Sequence, residues 1–236
     1  MKRLLFAVVF SIVFLSSAVL HAGRDMDPLK MPRVDLSPFL AVGCVDNDQA
    51  KGFVCPAEVL RRFKCSELSL AQDLGGFDMP VALCVLGRKG RARAKSKDEQ
   101  AVAYRGCMLR VPLRYVIYTT KGFRVTKSPG ELVKAVSPID SAEKAASLVM
   151  ALEPNVFLNP PAESKAHVLK TRDKKFLRPS AAAVDGGFAV RLFERTICGC
   201  GLHPVFAVDY RVSANGDVSE ISRKLVMEGL EEICVD

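Results

Sequence analysis

The stretch Cys198-Gly-Cys200-Gly-Leu-His203 is the densest group of chemically competent side chains in the sequence. Its C-x-C-x2-H spacing sets two soft sulfur ligands and an imidazole in one glycine-flexible turn, and Cys234 is the expected fourth member. Zinc or copper(I) would accept that set. The spacing is not that of the C-x2-C zinc knuckles, however, and thiols of an exported chain tend to oxidise. The leading expectation is therefore a structural turn stapled by Cys234, with no cofactor. A thiol-redox centre is a further alternative, although C-x-x-C occurs nowhere in the chain and this turn opens a strand, not a helix that would lower a thiol pKa.

Hydrolytic chemistry has few candidates. Past residue 22 the histidines are His167 and His203, and no G-x-S-x-G, H-E-x-x-H or glycine-rich phosphate loop is present. Asp209, six residues after His203, falls mid-strand near Ser222 and Lys224, where a solvated cross-strand polar face accounts for it. The Asp46-Asn47-Asp48 patch lacks the glycine and glutamate of a calcium loop, having Lys51 and Ala57 at those places. No catalytic residue is assigned, and an undetected hydrolase ranks third among the readings.

The clearest candidate for binding is basic. Arg88, Lys89, Arg91, Arg93, Lys95 and Lys97 crowd one stretch before Asp98 and Glu99. In an extended chain Arg91, Arg93, Lys95 and Lys97 alternate with small or polar residues and project to one side. Such a face suits an anionic surface or an acidic partner. No aromatic residue interleaves it, so base stacking is unsupported and no nucleic-acid motif is assigned.

Compartment follows from the first residues. Lys2 and Arg3 precede an apolar run from Leu4 to Phe14, and Ser16-Ser-Ala18 and His21-Ala22 follow, the layout of a signal peptide over 1–22. That run is shorter than the roughly 20 residues a bilayer needs, so no transmembrane segment is expected after its removal. The expected location is periplasmic, cell-surface or extracellular. All eight cysteines, Cys44, Cys55, Cys65, Cys84, Cys107, Cys198, Cys200 and Cys234, then become disulfide candidates. The net charge of +8 decides nothing alone.

The elements that would position these residues are read as follows. Residues 23–39, punctuated by Pro28, Pro32 and Pro38, read as an extended, poorly ordered leader. Residues 40–110 form a cysteine-rich mixed segment: a short helix bearing Cys65 within 56–70, a strand over 81–86 bearing Cys84, the basic loop 88–97, and a strand over 101–109. A Cys84–Cys107 bridge would clamp the base of that loop. Residues 111–236 begin with a strand broken at Pro112, then carry one helix from Ser128 to Val136 and another over 142–152 capped by Asp140. Weak strands over 165–171 and 174–177 and a small-residue loop over 179–187 lead to a β-meander over 187–227. Asn215-Gly216 predicts a two-residue type I′ turn. Val212 then faces Ser219, Arg211 faces Glu220, Tyr210 faces Ile221, Val208 faces Arg223 and Phe206 faces Leu225. Phe206, Val208, Tyr210, Ile221 and Leu225 would share the apolar face.

These elements point to an α+β class: an antiparallel sheet with a C-terminal three-stranded meander and two or three helices, stabilised by disulfides. The expected function is that of an exported binding or structural module, with metal or thiol chemistry at 198–203 as the alternative.

Overall fold

The computed structural model describes residues 26–47, 52–86, 101–106, 110–161, 167–171, 173–195, 198–229 and 233–235. The expected signal peptide over 1–22, the basic loop over 88–97 and Cys107 lie outside these residues. Among the described residues the chain is mostly antiparallel sheet with few helices.

The proline-punctuated N-terminal stretch is tied down instead of forming a loose leader. Asp27–Pro28 (β1) pairs with Ser180 and Ala181, far along the chain. Pro38 sits in the first turn of Ser37–Ala41 (α1), where its missing N–H has no partner to lose, and Phe39 on that turn is fully buried. Val45–Asn47 (β2) and Gly52–Val54 (β3) form a hairpin joined at its open end by the Cys44–Cys55 disulfide.

Ala57–Phe63 (α2) ends at Lys64, which adopts a left-handed φ of 59°. Cys65 therefore lies past the helix and not on it. Glu67–Leu70 (β4) follows and runs antiparallel to Val81–Val85 (β5), with Leu68 opposite Cys84. This pairing sets the chain before β4 beside the end of β5, and Cys65 bonds Cys84 with the Cα atoms 5.4 Å apart. The expected Cys84–Cys107 clamp is thus corrected: Cys84 is already taken by Cys65, just before the neighbouring strand.

Ala103–Arg105 (β6), Val111–Thr119 (β7) and Gly122–Thr126 (β8) complete this sheet in the order β4-β5-β7-β6, with β8 also on β7. Pro112 does not break β7. It is the second residue of the strand, and its carbonyl still accepts from the Leu86 N–H at 3.3 Å.

Pro129–Val136 (α3) begins at Ser128, whose Oγ accepts from the Glu131 N–H, while the Glu131 carboxylate accepts from the Lys127 N–H. Ala142–Leu152 (α4) is capped by Ser141, not Asp140: the Ser141 Oγ accepts from the Lys144 N–H at 3.1 Å. Asp140 instead pairs with the Lys144 ammonium at 2.9 Å, as does Asp78. Every residue from Lys144 to Ala151 is buried, the signature of a helix enclosed by other elements. Its cluster takes Tyr115 and Ile117 from the first sheet and Val190, Leu192 and Val208 from the second. The Tyr115 hydroxyl donates to the Ala151 carbonyl at 2.9 Å. A glycine is required where the loop before β5 crosses this helix, because a Cβ on Gly76 would lie 2.1 Å from the Glu143 carbonyl oxygen.

The second sheet is built from Val156–Phe157 (β9), His167–Leu169 (β10), Ser180–Val184 (β11), Gly187–Glu194 (β12), Val205–Ser213 (β14) and Val218–Gly229 (β15). Its order is β1-β11-β12-β14-β15-β10, with β9 also against β12. Between β12 and β14 the chain leaves to form Gly199–Gly201 (β13), which pairs with Ile233–Val235 (β16) in a separate two-stranded ribbon. Two expectations are exchanged here. The alanine-rich stretch read as a loop is β11, held by backbone pairing to β1 and β12, and the stretch read as a strand forms the 3-10 turn Lys174–Phe176.

The hairpin at Asn215-Gly216 also differs in detail. Among its turn residues only Gly216 has positive φ, at 89°. The Gly216 N–H donates to the Ser213 carbonyl and the Ser213 N–H to the Asp217 carbonyl, both at 2.9 Å. This is a longer turn ending in a left-handed glycine, not a two-residue I′ turn. Val212 consequently faces Val218, Arg211 faces Ser219 and Tyr210 faces Glu220, until Ile221 bulges out. Beyond the bulge, Val208 faces Arg223 and Phe206 faces Leu225, as expected. Ile221 and Leu225 are exposed at 39% and 36%, outside the predicted apolar face.

Candidate functional site

The basic loop is carried by two strands that flank a third. Val85, at the end of β5, and Ala103, at the start of β6, both pair with Leu113 of β7. The two stems therefore stand two strand spacings apart, about 10 Å. Disulfide Cys65–Cys84 braces the outgoing stem one residue before β5 ends. Arg88, Lys89, Arg91, Arg93, Lys95 and Lys97 themselves lie outside the described residues.

The cysteine turn is held by the β13–β16 ribbon, where Cys200 stands opposite Cys234 in the backbone register. Cys198 and Cys200 are both exposed and both disulfide-bonded. His203 is buried at 8% exposure with a left-handed φ of 43°. Disulfide sulfurs offer a cation no thiolate, so metal chemistry on this turn would require its reduced form. Among the described residues no group of three or more histidine, cysteine or acidic side chains is placed to hold a metal ion.

Asp209 is less solvated than expected. Arg191 on β12 grips it with two parallel bonds, Nε to Oδ1 at 2.6 Å and Nη2 to Oδ2 at 2.8 Å, and Ser222 on β15 donates to Oδ2 at 2.9 Å. The Arg191 and Asp209 side chains are only 12% and 16% exposed. Both carboxylate oxygens are thus committed across three strands. The Arg191 guanidinium stacks 4.5 Å from the Phe176 ring centre, and Lys224 and Lys175 approach the same ring at 3.8 and 5.1 Å. The 3-10 turn delivers Phe176 there, started by Asp173, whose carboxylate accepts from the Lys175 N–H. Nothing in the sequence around residues 174–178 signals this convergence, because its cations come from three separate stretches.

A second polar group also escapes sequence reading. Arg223 bonds Glu194 and Glu220, both at 2.9 Å, and sits over the Phe206 ring. This explains a cation on the apolar side of the hairpin. The Tyr210 hydroxyl donates to Glu194 at 3.3 Å. Glu153, just past α4, has no cation of its own in this group. Burial first, then the charges of Glu194 and Glu220, push its carboxyl above the usual value. A raised carboxyl pKa penalises the folded state above the folded value, and the penalty disappears below the unfolded value near 4.5. Glu153→Gln is therefore expected to raise the thermal midpoint at pH 8 and to give little gain at pH 4. Melting curves at the two pH values check this; an equal gain at both, or a loss at pH 8, would contradict it.

An open cleft of about 410 Å³ lies elsewhere, lined by Lys30, Met31, Gly75, Gly76, Ser141 and Glu143 among others. Asp78 borders it and ties the buried Lys144 ammonium from that side. Burial alone would lower the Lys144 pKa, but Asp78 and Asp140 outweigh it and hold the amine above its usual value. This lysine is a charged tether between α4 and the loops around it, with no free pair for chemistry.

No family model, curated protein or solved structure matches this chain. No helix among the described residues is long and apolar enough to cross a membrane.

Proposed function

We propose that the protein is an exported, disulfide-stabilised α+β binding module of the cell envelope or extracellular space, holding an anionic surface or acidic partner through its basic loop. The observation that carries this reading is the Cys65–Cys84 bond at the root of that loop. With Cys44–Cys55, and with Cys198 and Cys200 also oxidised, it suits a compartment where disulfides persist. It also stiffens the strand from which six cations depart, which lowers the ordering cost of binding. The signal-peptide layout of 1–22 agrees with that compartment.

The test is replacement of Arg88, Lys89, Arg91, Arg93, Lys95 and Lys97 by glutamine. Wild-type protein is expected to be retained on heparin or on anionic vesicles at low salt and released as salt screens the contact. The variant should lose most of that retention. Unchanged retention on both supports would remove the basis of the reading.

A further inference from the structure

Phe176 gathers three cations against one ring, from the 3-10 turn, from β12 and from β15. Their charges are unequally compensated. Arg191 is neutralised by Asp209, and Lys175 leans toward Asp173 at 3.4 Å. Lys224, Lys174 and Arg178 are exposed and have no carboxylate partner among the described residues. The ring's quadrupole offsets only part of the repulsion among the ammonium and guanidinium groups. An arriving anion would offset the remainder.

We propose that the face around Phe176 is a docking site for the phosphates of an anionic lipid surface, separate from the basic loop. The cations are spread over a sheet face and the turn crossing it, and the cleft described above is lined by other residues. A shallow cationic array meets a planar layer of phosphates with many contacts at once. Half-buried Phe176 and Leu177, packed on Phe193, Val205 and Met227, give those cations a rigid base. Each exposed lysine or arginine that reaches such a surface adds attraction that falls away with salt.

The experiment is co-sedimentation with vesicles of phosphatidylcholine alone and with about one third phosphatidylglycerol, at low and high salt. It uses wild type, the six-residue loop variant, and Lys174→Gln/Lys175→Gln/Lys224→Gln. The triple variant, with its melting curve unchanged, should bind the anionic vesicles at least about tenfold more weakly than wild type. Inorganic phosphate should not compete at millimolar concentration, because a free ion engages too few of the cations at once. The proposal is overturned if the triple variant binds as wild type does, if binding ignores the anionic lipid, or if free phosphate displaces the vesicles. It is equally overturned if the triple variant loses retention on heparin but not on vesicles, which would assign the face to an acidic polysaccharide. A loop variant that binds normally beside a triple variant that does not would remove the loop reading and leave this one.

Discussion

Phe39→Ala is expected to cost about 3–5 kcal/mol of folding free energy, the range for emptying a fully buried aromatic site. Phe39 is 0% exposed, and its ring centre stands 5.6 Å from that of Phe53 and 5.2 Å from that of Phe123. Phe123 in turn packs on Phe63 and Tyr118. The side chain therefore joins α1, the β2–β3 hairpin, α2 and β8 in one aromatic group. The short helix that bears it has five residues and no side-chain cap, so it has little stability of its own. Urea unfolding under non-reducing conditions should show the loss as a lower midpoint with little change in slope. Phe39→Leu, which keeps most of the volume, should lose roughly 1 kcal/mol. A loss below about 1 kcal/mol for the alanine variant would mean that this helix is not part of the cooperative core.

Removing the Cys65–Cys84 bridge by double substitution to alanine is expected to cost about 3 kcal/mol. The bridge closes a segment with a sequence separation of 19, and the loss of that constraint frees the unfolded chain by about this amount. Cys84 is also fully buried in the cluster around Phe63 and Leu68, so the alanine leaves a small void as well. The thermal midpoint should fall by about 6–12 °C for a chain of this size. Differential scanning calorimetry of the two proteins checks it. A fall of less than about 3 °C would show that β4 and β5 hold each other through their ladder alone. The anion-binding readout of the loop should weaken in the same variant, since the bridge braces the outgoing stem.

How far residues announced this structure depends on whether their partners are local. The helix over 142–152 is legible because good helix formers run unbroken to Pro154, while its cap lies one residue beyond the expected Asp140. Asp140 and Ser141 are both competent caps; Ser141 takes the role, and Asp140, one residue before it, pairs with Lys144 four residues on. The Asn215-Gly216 turn was found, but its type depends on Asn215 taking negative φ, which the dipeptide does not dictate. The Ile221 bulge restores the register, so the pairs beyond it are those the sequence predicts. The strand at 180–184 was invisible, since three alanines carry no apolar period and its partners lie at 27–28 and 187–191. The N-terminal stretch is silent for the same reason: Pro28 pairs with Ser180 and Phe39 packs on Phe123, both far along the chain. Among the site residues, cysteine parity anticipated oxidation, while the Cys84 partner required the β4–β5 pairing to be seen. The cations around Phe176 come from residues 175, 191 and 224, which no short window contains.

The pairing of Asp27 and Pro28 with Ser180 and Ala181 sets a clock on synthesis. Ribosomes extend a chain at about 5–20 residues per second, so the partner of the first strand is made roughly 8–30 s after that strand. During this wait Leu29 and the residues near it have no sheet to join, and any early collapse around Phe39 must proceed without them. Chain delivered from the other end would meet no such delay. A circular permutant that opens at the exposed Thr120–Lys121 turn and joins the old termini through a flexible linker would place β1 after β11 in order of synthesis, and it should reach its native disulfides sooner than the natural order does.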